Sequence, residues 1–146
     1  MKFAAVAALA SLASGATLQK KQATEYPIAN FVASCIPHSV MCSYSFEVIS
    51  DPSLPASHCE AFVQGPDYLP EIKDGSCSDN VAYTWSVDKV ADGGLDFKIW
   101  YAFNSRSNIT LCHGIGADQL TVDDNGSVQD QRYSGPANFS ASIFEC

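Results

Sequence analysis

The sequence predicts an all-β protein: a single-domain antiparallel β-barrel or β-sandwich of about eight short strands, stabilised by disulfides. Three observations carry that expectation. Apolar and polar residues alternate with period two over several segments, glycine and asparagine mark tight turns between them, and six cysteines form an even set.

Lys2 precedes an apolar run from Phe3 to Leu12 and the small residues Ala13-Ser14-Gly15-Ala16, the pattern of a signal peptide over residues 1–16. The run is too short for the roughly 20 apolar residues of a membrane span, and no second run follows, so no membrane span is expected. Lys20-Lys21 is a dibasic pair of the kind cut by processing proteases, which makes 17–21 a candidate pro-segment and 22–146 a single secreted β-domain. Its 125 residues suit one core. Without Lys2, Lys20 and Lys21, five basic residues face 16 acidic ones, a net charge of −11. Such a chain is repelled by nucleic acid and by anionic membranes, whereas its 47% hydrophobic content supports a folded core.

Within the domain, Cys42-Ser43-Tyr44-Ser45-Phe46-Glu47-Val48 alternates as a half-buried strand must. Tyr83 to Val87 and Leu95 to Tyr101 do the same, and Ala91-Asp92-Gly93-Gly94 supplies a turn between them, so Val81 to Phe103 reads as one hairpin. A second hairpin is expected from Gln119–Val122 and Ser127–Asp130 around Asp123-Asp124-Asn125-Gly126. Further strands are expected at Ile28–Ser34, His58–Val63, Asn108–Cys112 and Phe139–Phe144. Prolines 52, 55, 66 and 70 with nearby Gly and Asp mark the regions around 50–57 and 65–80 as loops. The second, ending at Cys77, is a candidate binding loop.

Fifteen pairings of Cys35, Cys42, Cys59, Cys77, Cys112 and Cys146 are possible, and spacing favours Cys35–Cys42, Cys59–Cys77 and Cys112–Cys146. Zinc would want thiolates two to four residues apart; no Cys-x-x-Cys occurs, so no metal is expected. Sequons at Asn108, Asn125 and Asn138 add candidate glycosylation sites and agree with a secretory route.

Signals for catalysis are sparse. His38, His58 and His113 are isolated, no Gly-x-Ser-x-Gly elbow is present, and Gly114-Ile115-Gly116 lacks the third glycine and the helix of a phosphate cradle. No catalytic residue and no cofactor is expected. Among the aromatics, Trp85, Phe97 and Tyr101 fall on inward faces, whereas Trp100 has the opposite parity on its strand. It is a candidate partner contact, against the plainer alternative that a loop buries it.

Cys35-Ile36-Pro37-His38-Ser39, Cys42-Ser43-Tyr44-Ser45-Phe46, Asp74-Gly75-Ser76-Cys77, the Trp85 strand with its Asp92-Gly93-Gly94 turn, and Tyr133-Ser134-Gly135-Pro136 together carry a resemblance. The chain resembles fungal small secreted proteins described as hypersensitive-response-inducing elicitors, which look like relatives of the major-allergen β-barrel family of Alternaria-type moulds. The resemblance implies an apoplastic effector, recognised by plant cells and triggering defence and local cell death. It supplies no catalytic residues. Relatives are discussed as dimerising through an unpaired cysteine, but six cysteines here can all pair internally, so a monomer or non-covalent dimer is expected.

The expected function is therefore a secreted, non-catalytic effector whose partner is a host extracellular or cell-surface protein, or a small ligand. The alternatives are a small secreted hydrolase of cell-wall polymers, with Trp100 stacking on a sugar, and a protease inhibitor or ligand carrier built on the 65–77 loop.

Overall fold

The computed structural model describes residues 23–65, 68–124 and 126–146. The leader at 1–16, the pro-segment at 17–21 with its dibasic pair, and the Asn125 sequon lie outside the described residues.

Ten strands follow in chain order: β1 (Glu25–Cys35), β2 (Met41–Val48), β3 (Ser57–Gln64), β4 (Ile72–Ser76) and β5 (Tyr83–Lys89). Then come β6 (Leu95–Asn104), β7 (Ser107–Ile115), β8 (Leu120–Asp124), β9 (Gln129–Tyr133) and β10 (Phe139–Ser142). Eight of them form a nearly closed antiparallel barrel in the order β3-β2-β1-β10-β7-β6-β5-β4, which decides between the barrel and sandwich alternatives. The β8–β9 hairpin lies off this path and touches it where Arg132 pairs with Ser34.

Strand β1 organises one half. One of its edges pairs with β2; the other is shared between β10 at its start and β9 at its end. A bulge between Ala29 and Val32 makes that change of partner possible, and Asn30 at φ 54° supplies the left-handed backbone it needs. The Asn30 backbone N–H donates to Asn138 Oδ1 at 3.1 Å, and its side-chain amide donates to Glu47 at 2.8 Å.

Two seams carry little backbone ladder. Strands β10 and β7 share one register pair, Ser142 with Cys112, and the stacked rings of His113 and Phe139, 4.0 Å apart, lie beside it. The edges of β3 and β4 meet at an isolated bridge between Cys59 and Cys77, reinforced by Ser78 N–H donating to the His58 carbonyl at 3.1 Å. Disulfides join Cys59 to Cys77 and Cys112 to Cys146, at these same seams, and a third joins Cys35 to Cys42 across β1 and β2. All three spacing-based pairings are present.

The interior is aromatic. Phe97 is fully buried, with ring centroids of Phe46 at 5.0 Å, Phe31 at 5.5 Å, Phe139 at 6.1 Å and Trp85 at 6.3 Å. Several of these contacts are edge-on, the arrangement that sets a ring's positive rim against its neighbour's negative face. Tyr26, Tyr83 and Tyr101 make a second cluster, with Tyr83 and Tyr101 stacked at 4.8 Å.

Three local expectations need correction. The region 65–80 is not all loop: it contains β4, and Leu69 within it is fully buried, its N–H donating to Gln131 Oε1 at 3.0 Å. Only Ile72 and Gly75 of β4 are buried, and a bulge between them breaks the alternation that reveals the other strands. In the second hairpin the returning strand starts at Gln129 and not Ser127, because Asp124 pairs with Gln129 and Ser127 and Val128 fall in the turn. Finally, the strand from Phe139 stops at Ser142, where the serine Oγ accepts from Phe144 N–H at 3.1 Å and starts a 3-10 turn over Ile143–Glu145.

Candidate functional site

Pairing across four strands builds one outward row. Ser76 lies opposite Thr84, Thr84 opposite Trp100, and Trp100 opposite Thr110. Inward neighbours Trp85, Ile99 and Leu111 are almost wholly buried, so the pleat turns this row to the outside. Trp100 is half-buried there: it faces neither bulk solvent alone nor the core, and forms one wall of a groove of about 350 Å³. Lys73, Asp74, Ser76 and Thr84 line the rest, over a floor made by Gly75 and the edge of Trp85.

Glycine at 75 has a steric reason. A Cβ there would run into two ring carbons of Trp85, so the β4 backbone rests directly on the indole. Trp85 Nε1 donates to the Ser76 carbonyl at 3.0 Å and fixes the strand in that position. The bulge between Ile72 and Gly75 places Lys73 and Asp74 over Ser86, which is buried and whose Oγ has no hydrogen-bond partner among the described residues.

The charges beside the groove are unevenly satisfied. Lys73 Nζ lies 2.7 Å from Asp88 and 2.9 Å from Glu71. Those hydrogen bonds hold the lysine above its ordinary pKa, and the bond from Lys73 holds the Glu71 carboxyl below its own. Asp88 and Asp96 face each other across β5 and β6, and each has a lysine at hand, Lys98 standing 3.3 Å from Asp96. This is an alternating surface charge row. By contrast, the side chains of Asp74, Ser76 and Thr84 make no hydrogen bond or ion pair among the described residues. The groove thus offers an aromatic wall, two hydroxyls and an unpaired carboxylate.

Two of the three histidines lie beside a carboxylate. His38 sits exposed in the β1–β2 turn at φ 59°, His58 Nε2 lies 3.3 Å from Glu60, and His113 Nδ1 lies 3.1 Å from Glu145 beneath its stack on Phe139. Among the described residues no group of three His, Cys, Asp or Glu converges as metal ligands would. Asn108 and Asn138 are exposed; Asn108, second in β7, lies on the same face as Trp100, two residues before Thr110. Of the candidate binding loop at 65–77, residues 68–77 are anchored rather than projecting, since Leu69 fills the interior and Tyr44 Oη donates to the Pro70 carbonyl at 2.8 Å.

Sequence parity alone singled out Trp100. It missed the other half of the groove, because β4 carries no alternation; the legible hint was Gly75, beside Asp74 and Ser76 and close before Cys77. No helix among the described residues is long and apolar enough to cross a membrane, and three disulfides in a small protein are compatible with an extracellular location. Compared with protein-family models, with curated proteins and with solved structures, the chain has no significant match.

Proposed function

We propose that this chain is a secreted fungal effector or elicitor that acts on a host by surface recognition and without catalysis, its partner a host extracellular or cell-surface protein or a small ligand. The observation that carries the reading is the Trp100 groove, where polar side chains with no partner among the described residues stand beside a half-buried indole on a covalently braced barrel. Binding sites commonly pair an apolar wall with a few convergent polar groups, and rigid supporting strands reduce the entropy lost on association. The predicted leader, the sequons and the resemblance to cell-death elicitors support the same reading, and the internally paired cysteines favour a monomer or non-covalent dimer.

Infiltration of purified protein into leaf tissue tests it. Native protein is expected to cause local cell death, the reduced and alkylated protein none, and Trp100→Ala to need a dose about tenfold higher or more. Equal activity of the reduced, alkylated chain would mean that a linear peptide is being read. Turnover of wall polysaccharide, lost on substituting one carboxylate or histidine, would make the protein a hydrolase instead.

A further inference from the structure

The geometry points to a neutral, β-linked oligosaccharide of all-equatorial pyranoses as the ligand of the Trp100 groove. This assignment rests on the reading of that groove as a recognition surface and gives it a chemical class.

Five features of the groove select this class. The Trp100 wall presents an aromatic surface whose face is electron-rich. A pyranose with every hydroxyl equatorial directs its C–H bonds to its two faces, and those weakly positive hydrogens complement such a surface. Beside the wall, Ser76 and Thr84 can each donate and accept, and the Asp74 carboxylate can accept from two ring hydroxyls. None of these three side chains is committed within the described structure.

The volume of about 350 Å³ lies near the lower end of the roughly 300–1,000 Å³ usual for small-ligand clefts, which suits one or two sugar rings of a longer chain. Charge excludes the acidic sugars. Lys73 is already bracketed by Asp88 and Glu71, leaving Asp74 as the unpaired charge in the groove, on a domain of net charge −11. A uronate would be repelled both locally and at distance. Nor is the groove a soft surface that could close over any apolar group: Gly75 seated on Trp85, and the Trp85 bond to Ser76, fix its floor.

Titration calorimetry with cellohexaose, chitohexaose, xylohexaose and hexagalacturonate tests the assignment, with tryptophan fluorescence in parallel. The chain has two tryptophans and Trp85 is 1% exposed, so a ligand-dependent emission shift reports Trp100. At least one of the three neutral hexamers is expected to bind and the uronate is not. Trp100→Ala should weaken binding about tenfold or more, Trp100→Phe should retain most of it, and Asp74→Asn should weaken it about threefold. Intact mass and circular dichroism confirm that each variant keeps its three bridges and its fold; Asp74→Asn, at an exposed position, provides the readout if Trp100→Ala does not fold.

Absence of binding by all three neutral hexamers at millimolar concentration, preference for the uronate, or unchanged binding by both Trp100→Ala and Asp74→Asn would overturn the assignment. The leaf assay separates this from the broader reading. Hexamer binding with cell death unaffected by Trp100→Ala keeps the glycan site and moves host recognition elsewhere; cell death lost in Trp100→Ala without any hexamer binding keeps host recognition and refutes the sugar.

Discussion

Removing the Cys59–Cys77 bridge, by changing both residues to Ala, should loosen the barrel in one place. The two cysteines are 18 residues apart, and loop-closure entropy for a ring of that size corresponds to about 3 kcal/mol at 25 °C. The same relation assigns about 2.4 kcal/mol to Cys35–Cys42, at separation 7, and about 3.8 kcal/mol to Cys112–Cys146, at separation 34. Native packing adds a difference that chain entropy ignores. Cys35 and Cys42 are register partners inside a long β1–β2 ladder, whereas Cys59 and Cys77 form an isolated bridge between two strand edges. With a urea m-value of about 2 kcal/mol/M, losing the 59–77 bridge should lower the unfolding midpoint by about 1.5 M. Hydrogen exchange should quicken at amides of β3 and β4 well beyond the global loss, while Cys35→Ala/Cys42→Ala raises exchange evenly. If β3 and β4 keep their protection relative to the rest of the barrel, the bridge does not close the seam and the argument fails.

Two further outcomes follow from packing and burial. Gly75→Ala forces a Cβ into the Trp85 indole and should cost about 1–3 kcal/mol, lowering the melting temperature and changing the emission of both tryptophans; an unchanged melting curve would show that β4 does not rest on the ring as described. At alkaline pH, burial holds the hydroxyls of Tyr26, Tyr44, Tyr83 and Tyr133 above their ordinary range, so the folded state retains protons that the unfolded chain releases. Stability should therefore be intact below about pH 10 and fall as pH rises beyond it, with tyrosinate absorbance of these side chains appearing together with loss of the far-ultraviolet signal. Full ionisation of all six tyrosines near pH 10 in a still-folded protein would contradict it.

What could be read from the sequence depended on how each segment is buried. Strands β2, β5 and β6 have one face inward and one outward, so Phe46, Trp85 and Phe97 alternate visibly with polar residues. The cysteine pairs were recoverable because each links one cysteine to the next along the chain. Strand β4 was hidden because its bulge and glycine abolish the period, and Leu69 lay unrecognised because nothing local marks a loop residue as core. The same gap explains the site: parity placed Trp100 on the outer face, but Asp74, Ser76 and Thr84 meet it only through a β4–β5 register that no pattern within either segment specifies.

The two thin seams bear on how the molecule resists proteolysis. Proteases act on segments that open transiently, and strand edges held by few ladder bonds are where such opening is cheapest. Here a covalent link stands at each of those places. Keeping the bridges oxidised should therefore raise resistance to proteolysis as well as stability. Without the Cys59–Cys77 bridge the circle of strands is thinnest where β3 meets β4, and parting there would leave two strand edges with unpaired backbone groups, the kind of border that proteins otherwise keep covered.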